Sequence, residues 1–380
     1  MNNRIYPFLD LAKVNEPYME ELTEAAVSVI RGGRYIGGGE VAAFEAELAR
    51  MLNAGFAVGV SNGLDALKLI FRGYIELGVM RPGDEVIVPA NTYIASMLAL
   101  TDVGLVPVPV DADLVTMNLD SALIESAITE RTRAVMPVHL YGRVAWDDAL
   151  VDVAERYGLK IIEDCAQAIG GRSVVPGKNG SYYAGALGDA GAFSFYPTKN
   201  VGALGDAGAV VTCDEELARI VRALANYGSD RRYHNIYCGY NCRLDAVQAA
   251  MLRVKLRYAE RENADRFERA LAYHRTIDRD DVVTPLMTRS VVDNVWHQYV
   301  IRVTGGKRDL MRKELEKMGV GTDIHYAVPP HRQPCYVGLR HGALPVTEQL
   351  ANEVLSLPIA TGTTVKDAAE IAEIINGLNI

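Results

Sequence analysis

"GAFSFYPTKNVGALGDAGAVVT", residues 191–212, sets one lysine between two apolar runs. The first run reads as a buried strand, and the glycines after Lys199 give a turn into a second strand. A solvated loop lysine is the ordinary reading, but it needs no such neighbours. An amine that emerges from a core suits covalent chemistry, because a lowered pKa leaves it neutral for attack on an aldehyde. Ser194, at the end of the first run, offers a hydroxyl to a phosphate.

Upstream lies "LKIIEDCAQ" (159–167), a strand that delivers Asp164 to the sheet edge with Gln167 close behind. A carboxylate there serves as a helix cap or ion-pair partner. It also suits a place beneath a protonated pyridine nitrogen, which would keep it ionised. "SNGLDAL" (61–67) joins strand, small-residue turn and helix start. The free N–H groups of a helix N-terminus suit a phosphate, and Gly63 lets the backbone approach closely. Tyr93, after "VIVPANT", is either a core aromatic or a ring that lies on a flat ligand.

From residue 40 to about 212, helical and strand-like segments alternate: "EVAAFEAELARML" as helix, "FAVGV" as strand, "LDALKLIFRGYIEL" as helix, "DEVIVPA" as strand. Such alternation predicts βαβ units and a mostly parallel sheet. Polar residues at strand ends, "SNG", "NTY", "HLYG" and "EDCAQ", fall where such sheets collect ligands. From 244 to 277 the pattern predicts one long charged helix. "NVWHQYVIRV" (294–303) reads as a strand, and "TVKDAAEIAEIINGL" as an amphipathic helix. Two domains are expected, 1–245 and 246–380, the second smaller and opening on that long helix.

The chain has 380 residues, 49% hydrophobic and 23% charged. Its net charge of −9 argues against nucleic-acid partners. No run approaches the roughly 18 apolar residues of a membrane span. The start lacks the apolar stretch of a signal peptide. Five scattered cysteines with no C-x-x-C pair predict neither a disulfide framework nor a zinc site. A cytoplasmic setting, no membrane and no metal are the expectations.

"IIEDCAQ", "GAFSFYPTKNVGALGDAGAVVT" and "GYNCRLDAVQAAML" together resemble the DegT/DnrJ/EryC1/StrS family of nucleotide-sugar aminotransferases, from "YIGGGEVAAFE" to the C-terminal helix. The resemblance implies an α/β fold of the fold-type I class with pyridoxal 5′-phosphate as cofactor. Lys199 resembles the Schiff-base lysine and Asp164 the partner of the ring nitrogen. Gln167 matches a residue near the ring hydroxyl, and Tyr93 the stacking aromatic. Ser194, Gly63 and Leu64 match phosphate contacts. Asn241 matches an asparagine that reaches the cofactor of the neighbouring subunit, implying a homodimer with shared sites. Tyr35, His325 and Tyr326 match the sugar-nucleotide pocket. Leu64 departs from the usual threonine, Cys242 from a common serine, and Arg143 from a frequent glutamine.

The implied reaction moves an amino group from glutamate to a dTDP-linked 3-keto-6-deoxyhexose. The alternatives are a UDP-linked 4-keto sugar, a sugar dehydratase, and a non-catalytic regulator that binds cofactor or sugar. Lys199 argues against the dehydratase, which typically carries histidine there.

Overall fold

The computed structural model describes residues 4–287 and 293–380. Three helices come first: α1 (Leu11–Asn15), α2 (Met19–Gly32) and α3 (Gly39–Met51). Alternation follows with β1 (Phe56–Val60), α4 (Gly63–Glu76), β2 (Glu85–Pro89), α5 (Ala95–Asp102) and β3 (Val106–Val110). Next come β4 (Thr132–Val135), α6 (Asp148–Tyr157), β5 (Lys160–Asp164), β6 (Ala190–Ser194), β7 (Gly208–Thr212) and α7 (Glu215–Leu224).

The seven strands form one sheet in the order β1-β7-β6-β5-β4-β2-β3. Only β7 is reversed, pairing antiparallel with β1 and β6. This is the mostly parallel mixed sheet expected. Successive side chains of a strand face opposite sides. Thus Val86, Val88, Ile162 and Val210 pack under α4 and α7, while Ile87 and Ile161 pack with Trp146 and Leu150 on the other face. Each such side chain, fully buried, contributes about 1.5–3 kcal/mol.

A ribbon of β8 (Ser229–Arg231) and β9 (His234–Asn235) leads to α8 (Ala246–Leu256) and α9 (Ala259–Thr276). Then β10 (Val282–Val283), β11 (Tyr299–Val303), α10 (Arg308–Lys317), α11 (Pro345–Glu353), β12 (Val354–Leu357) and α12 (Val365–Asn376) complete the chain. Here β10, β11 and β12 make a separate antiparallel sheet.

Two sequence expectations need correction. The helix expected over 244–277 is two helices, broken at Arg257 and Tyr258. The Tyr258 ring lies 4.8 Å from that of Tyr18, and its hydroxyl donates to Glu21 at 2.5 Å. The break lets α8 lie on α2 and α3 while α9 packs along α12. The strand expected over 294–303 begins only at Tyr299. Before it, Trp296 has φ +50°. The N–H groups of Val295 and Gln298 donate to Gly142 and Tyr141 instead of to a strand. Among the described residues, no helix is long and apolar enough to cross a membrane.

Candidate active site

Lys199 lies in the turn between β6 and β7. Its N–H donates to Tyr196 O at 2.8 Å, and Ala203 N returns to Phe195 O at 2.8 Å. A Cβ on Gly202 would sit 2.4 Å from Pro197 O. The glycine after the lysine is therefore a packing requirement of the tight turn. Two residues of α8 hold the same turn: Lys255 Nζ donates to Gly202 O at 2.7 Å, and Gln248 Oε1 accepts from Leu204 N at 2.9 Å. Among the described residues, the Lys199 ammonium takes no hydrogen bond or ion pair. Burial pushes its pKa down to about 8, against the opposing pull of the Asp164 carboxylate.

Asp164 ends β5. Its Oδ2 accepts from Ser96 Oγ at 2.8 Å, and its Oδ1 from Ala166 N at 3.1 Å. Glu163, one residue earlier, belongs to the opposite face. It accepts the N–H groups of Gly185, Leu187 and Gly188 and bonds His139 Nε2 at 2.9 Å. His139 Nδ1 accepts from Ala145 N, so Nε2 carries the proton. Glu163, His139 and Cys165 stand close enough together to ligate an ion. The acid and the imidazole are instead spent on holding backbone and each other.

A cavity of about 510 Å³ at the carboxyl ends of these strands gathers most of the sequence candidates. Lys199, Asp164, Gln167 and Ser194 line it, and so do Gly63, Leu64 and Tyr93. His325 and Tyr326 line it as well. Tyr35 and Asn241 do not reach it; both are exposed on the surface. Tyr35 O accepts from Ala246 N, and Asn241 bridges Asn226. A larger open groove, about 650 Å³ between α2, α3 and α8, is lined partly by the ion pairs of Arg253 with Glu40 and Glu47, and no candidate enters it.

The cavity has chemically distinct ends. At one, Asn62 caps α4 by accepting from Asp65 N at 2.8 Å. The N–H groups of Gly63 and Leu64, which open the helix, take no acceptor among the described residues. A Cβ at Gly63 would lie 2.6 Å from Ser194 Cβ, so the glycine keeps this helix end against the strand end. Unpaired N–H groups beside a serine hydroxyl suit a phosphate. Elsewhere on the wall, Gln167 Oε1 accepts from Tyr141 N at 2.5 Å and Nε2 donates to Tyr326 OH at 3.2 Å. The Tyr93 and Tyr326 rings are 5.4 Å apart and tilted by 39°. His325 Nδ1 meets Ser356 Oγ at 2.8 Å, and burial pushes this imidazole's pKa down.

Sequence reasoning missed His297, Gln298 and Ser96. The first two line the cavity but sit in the segment misread as strand. The alternation of "NVWHQYVIRV" hid them. The polar types at 297 and 298, inside an otherwise apolar run, were the available signal. Ser96 lies within a helix and reaches the cavity through two residues that line it, Asp164 and Thr92.

An amine of lowered pKa, a carboxylate and an anion-binding helix end on one cavity fit a phosphorylated pyridine aldehyde. Comparisons with known proteins agree. A dTDP-3-amino-3,6-dideoxy-alpha-D-galactopyranose transaminase of Aneurinibacillus thermoaerophilus is 44% identical, over 97% of this chain and 98% of that protein. A dTDP-3-amino-3,4,6-trideoxy-alpha-D-glucose transaminase of Streptomyces venezuelae is 45% identical, over 93% and 90%. The crystal structure of S. venezuelae DesV in complex with a ketimine intermediate superposes with a TM-score of 0.91 at 43% identity, covering 98% of each chain. The profile of the DegT/DnrJ/EryC1/StrS aminotransferase family matches residues 17–376, and the chain belongs to that family.

Proposed function

We propose that this aminotransferase moves an amino group from glutamate to the carbonyl of a dTDP-linked 3-keto-6-deoxyhexose. The observation that carries the reading is the unpartnered Lys199 amine facing the same cavity as Asp164. Pyridoxal 5′-phosphate is the cofactor of this aminotransferase, and when bound it supplies an electron sink for the carbon that loses or gains a proton. The N–H groups of Gly63 and Leu64, with Ser194 Oγ, would hold its phosphate. Asp164 would face the ring nitrogen and favour its protonated form. Tyr93 would lie on the ring, and Gln167 near its hydroxyl.

Lys199 Nζ holds and moves the proton. A neutral amine at this point takes a proton from the amino donor's α-carbon and later returns one to the sugar carbon. Its lowered pKa keeps a useful fraction neutral near physiological pH. His325 and Tyr326 would contact the sugar nucleotide. The two relatives that act on dTDP-linked 3-amino sugars, at 44% and 45% identity, support the sugar class.

The reading includes a homodimer with shared sites, working in the cytoplasm. Asn241 and Tyr35 stay outside their own chain's cavity and would serve that of the partner. The exposure of Tyr227, Ile36 and Ile30 near them supports a covered face. The substrate class is tested by incubating the purified enzyme with glutamate and a panel of dTDP- and UDP-linked 3-keto and 4-keto sugars. Release of 2-oxoglutarate is expected with the dTDP-linked 3-keto sugars. Turnover of UDP-linked 4-keto sugars alone would overturn the assignment.

A further inference from the structure

We propose that His297 Nε2 is a hydrogen-bond acceptor for a substrate hydroxyl next to the reacting carbonyl, making His297 a specificity-determining residue of the cavity. The inference rests on the keto-sugar reading above. It starts from the tautomer. Asn200 Nδ2 donates to Val295 O at 2.9 Å and to Asn263 Oδ1 at 3.0 Å. A backbone carbonyl accepts only, so the amide nitrogen must face that way. Asn200 Oδ1 then faces His297 Nδ1 at 3.1 Å, and Nδ1 carries the proton. Nε2 is left as a bare acceptor.

His297 is 5% exposed, yet its Nε2 has no partner among the described residues. An acceptor that opens onto a cavity without a protein partner is free to take a hydrogen bond from what fills that cavity. The residue lines the main cavity and also an adjoining one of about 190 Å³, with Thr198, Gln298 and His325 common to both. Lys199, Arg266 and His325 are its basic neighbours, while Asp164, Asp206 and Asp323 are the acids on the two cavities. Burial above all, with Lys199 and Arg266 adding to it, holds the imidazole neutral. A neutral acceptor beside Lys199 repels the oxygens of a carboxylate and welcomes a donor. The Gln298 side chain also lacks a hydrogen bond among the described residues, so its amide can donate to the same oxygen. One donor and one acceptor on adjacent residues match a sugar hydroxyl.

The test uses the holoenzyme with a dTDP-3-keto-6-deoxyhexose that carries both hydroxyls flanking the carbonyl, and two analogues lacking one each. Wild type should lose about 10- to 100-fold in kcat/KM on one analogue, the range expected when a buried polar group loses its partner. His297→Phe should lose a similar factor on the full substrate and nothing further on that analogue. His297→Gln, which keeps an acceptor, should recover part of the preference. The glutamate half-reaction should be unchanged in both variants. Independent, multiplying losses in His297→Phe would overturn the proposal, as would a wild type indifferent to both hydroxyls or an equal loss in the glutamate half-reaction. If the wild type aminates none of the sugars, the function reading fails. Equilibrium binding of the three sugar nucleotides then decides on His297: a matching affinity gap sustains the proposal and equal affinities overturn it. If His297→Phe does not fold, wild-type selectivity and His297→Gln decide in the same way.

Discussion

Lys199 combines low pKa and absence of a partner, and both can be measured. Labelling of the cofactor-free protein by an amine-directed reagent should follow the neutral fraction of Nζ. That fraction rises with pH, with a midpoint at about 8 instead of the ordinary 10.5. Asp164 favours the ammonium, so Asp164→Asn should move the midpoint lower; a midpoint that stays or rises contradicts the electrostatic link. Borohydride treatment of the holoenzyme should fix the pyridoxal group on Lys199, as read by peptide mass, and Lys199→Ala should lose both the link and transamination. Asp164→Asn should slow turnover by on the order of 10²-fold with folding kept, since asparagine holds the shape but not the charge. Unchanged turnover would remove the role given to Asp164. Lysine and aspartate were legible because each ends an apolar run with a polar residue. Ser96 and His297 were not, since one acts through Asp164 and the other depends on a tautomer set by Asn200.

At the scale of elements, the cavity is built by the ends of β5 and β6 meeting the start of α4. Gly63 is the point of closest approach, 2.6 Å from Ser194 once a Cβ is added. Overpacking of this kind costs about 1–3 kcal/mol. We expect Gly63→Ala to weaken cofactor affinity by about tenfold or more in a fluorescence titration of the cofactor-free protein, with secondary structure retained. Unchanged affinity would place the phosphate elsewhere. The strands and helices of the large sheet were legible because their hydrophobic periods are clean and their turns carry Asn, Asp and Gly. The 244–277 helix was over-read because its charge pattern continues across Arg257 and Tyr258. The interruption there accompanies packing against Tyr18 and Glu21, which are more than 200 positions away in sequence. The segment before β11 failed likewise: its tethers to Tyr141 and Gly142 are tertiary.

At the scale of the whole molecule, Tyr35 and Asn241 are the two sequence candidates that one chain leaves outside its cavity. If each site takes Lys199 from one chain and Asn241 from the other, mixing Lys199→Ala with inactive Asn241→Asp yields heterodimers with one doubly damaged and one intact site. Random exchange makes about half heterodimers, so activity should return to roughly a quarter of wild type. A heterodimer with no recovery, from variants that each fold and dimerise, contradicts sharing. The central claim is the movement of an amino group from glutamate to a nucleotide-linked keto sugar, with Lys199 as the amine that handles the proton. The most direct measurement supplies [¹⁵N]glutamate and a dTDP-3-keto-6-deoxyhexose and follows the label by mass spectrometry. The account predicts ¹⁵N in a dTDP-amino sugar with wild-type enzyme and none with Lys199→Ala. Label that stays in glutamate with the wild type, or that reaches the sugar equally well with Lys199→Ala, would contradict it.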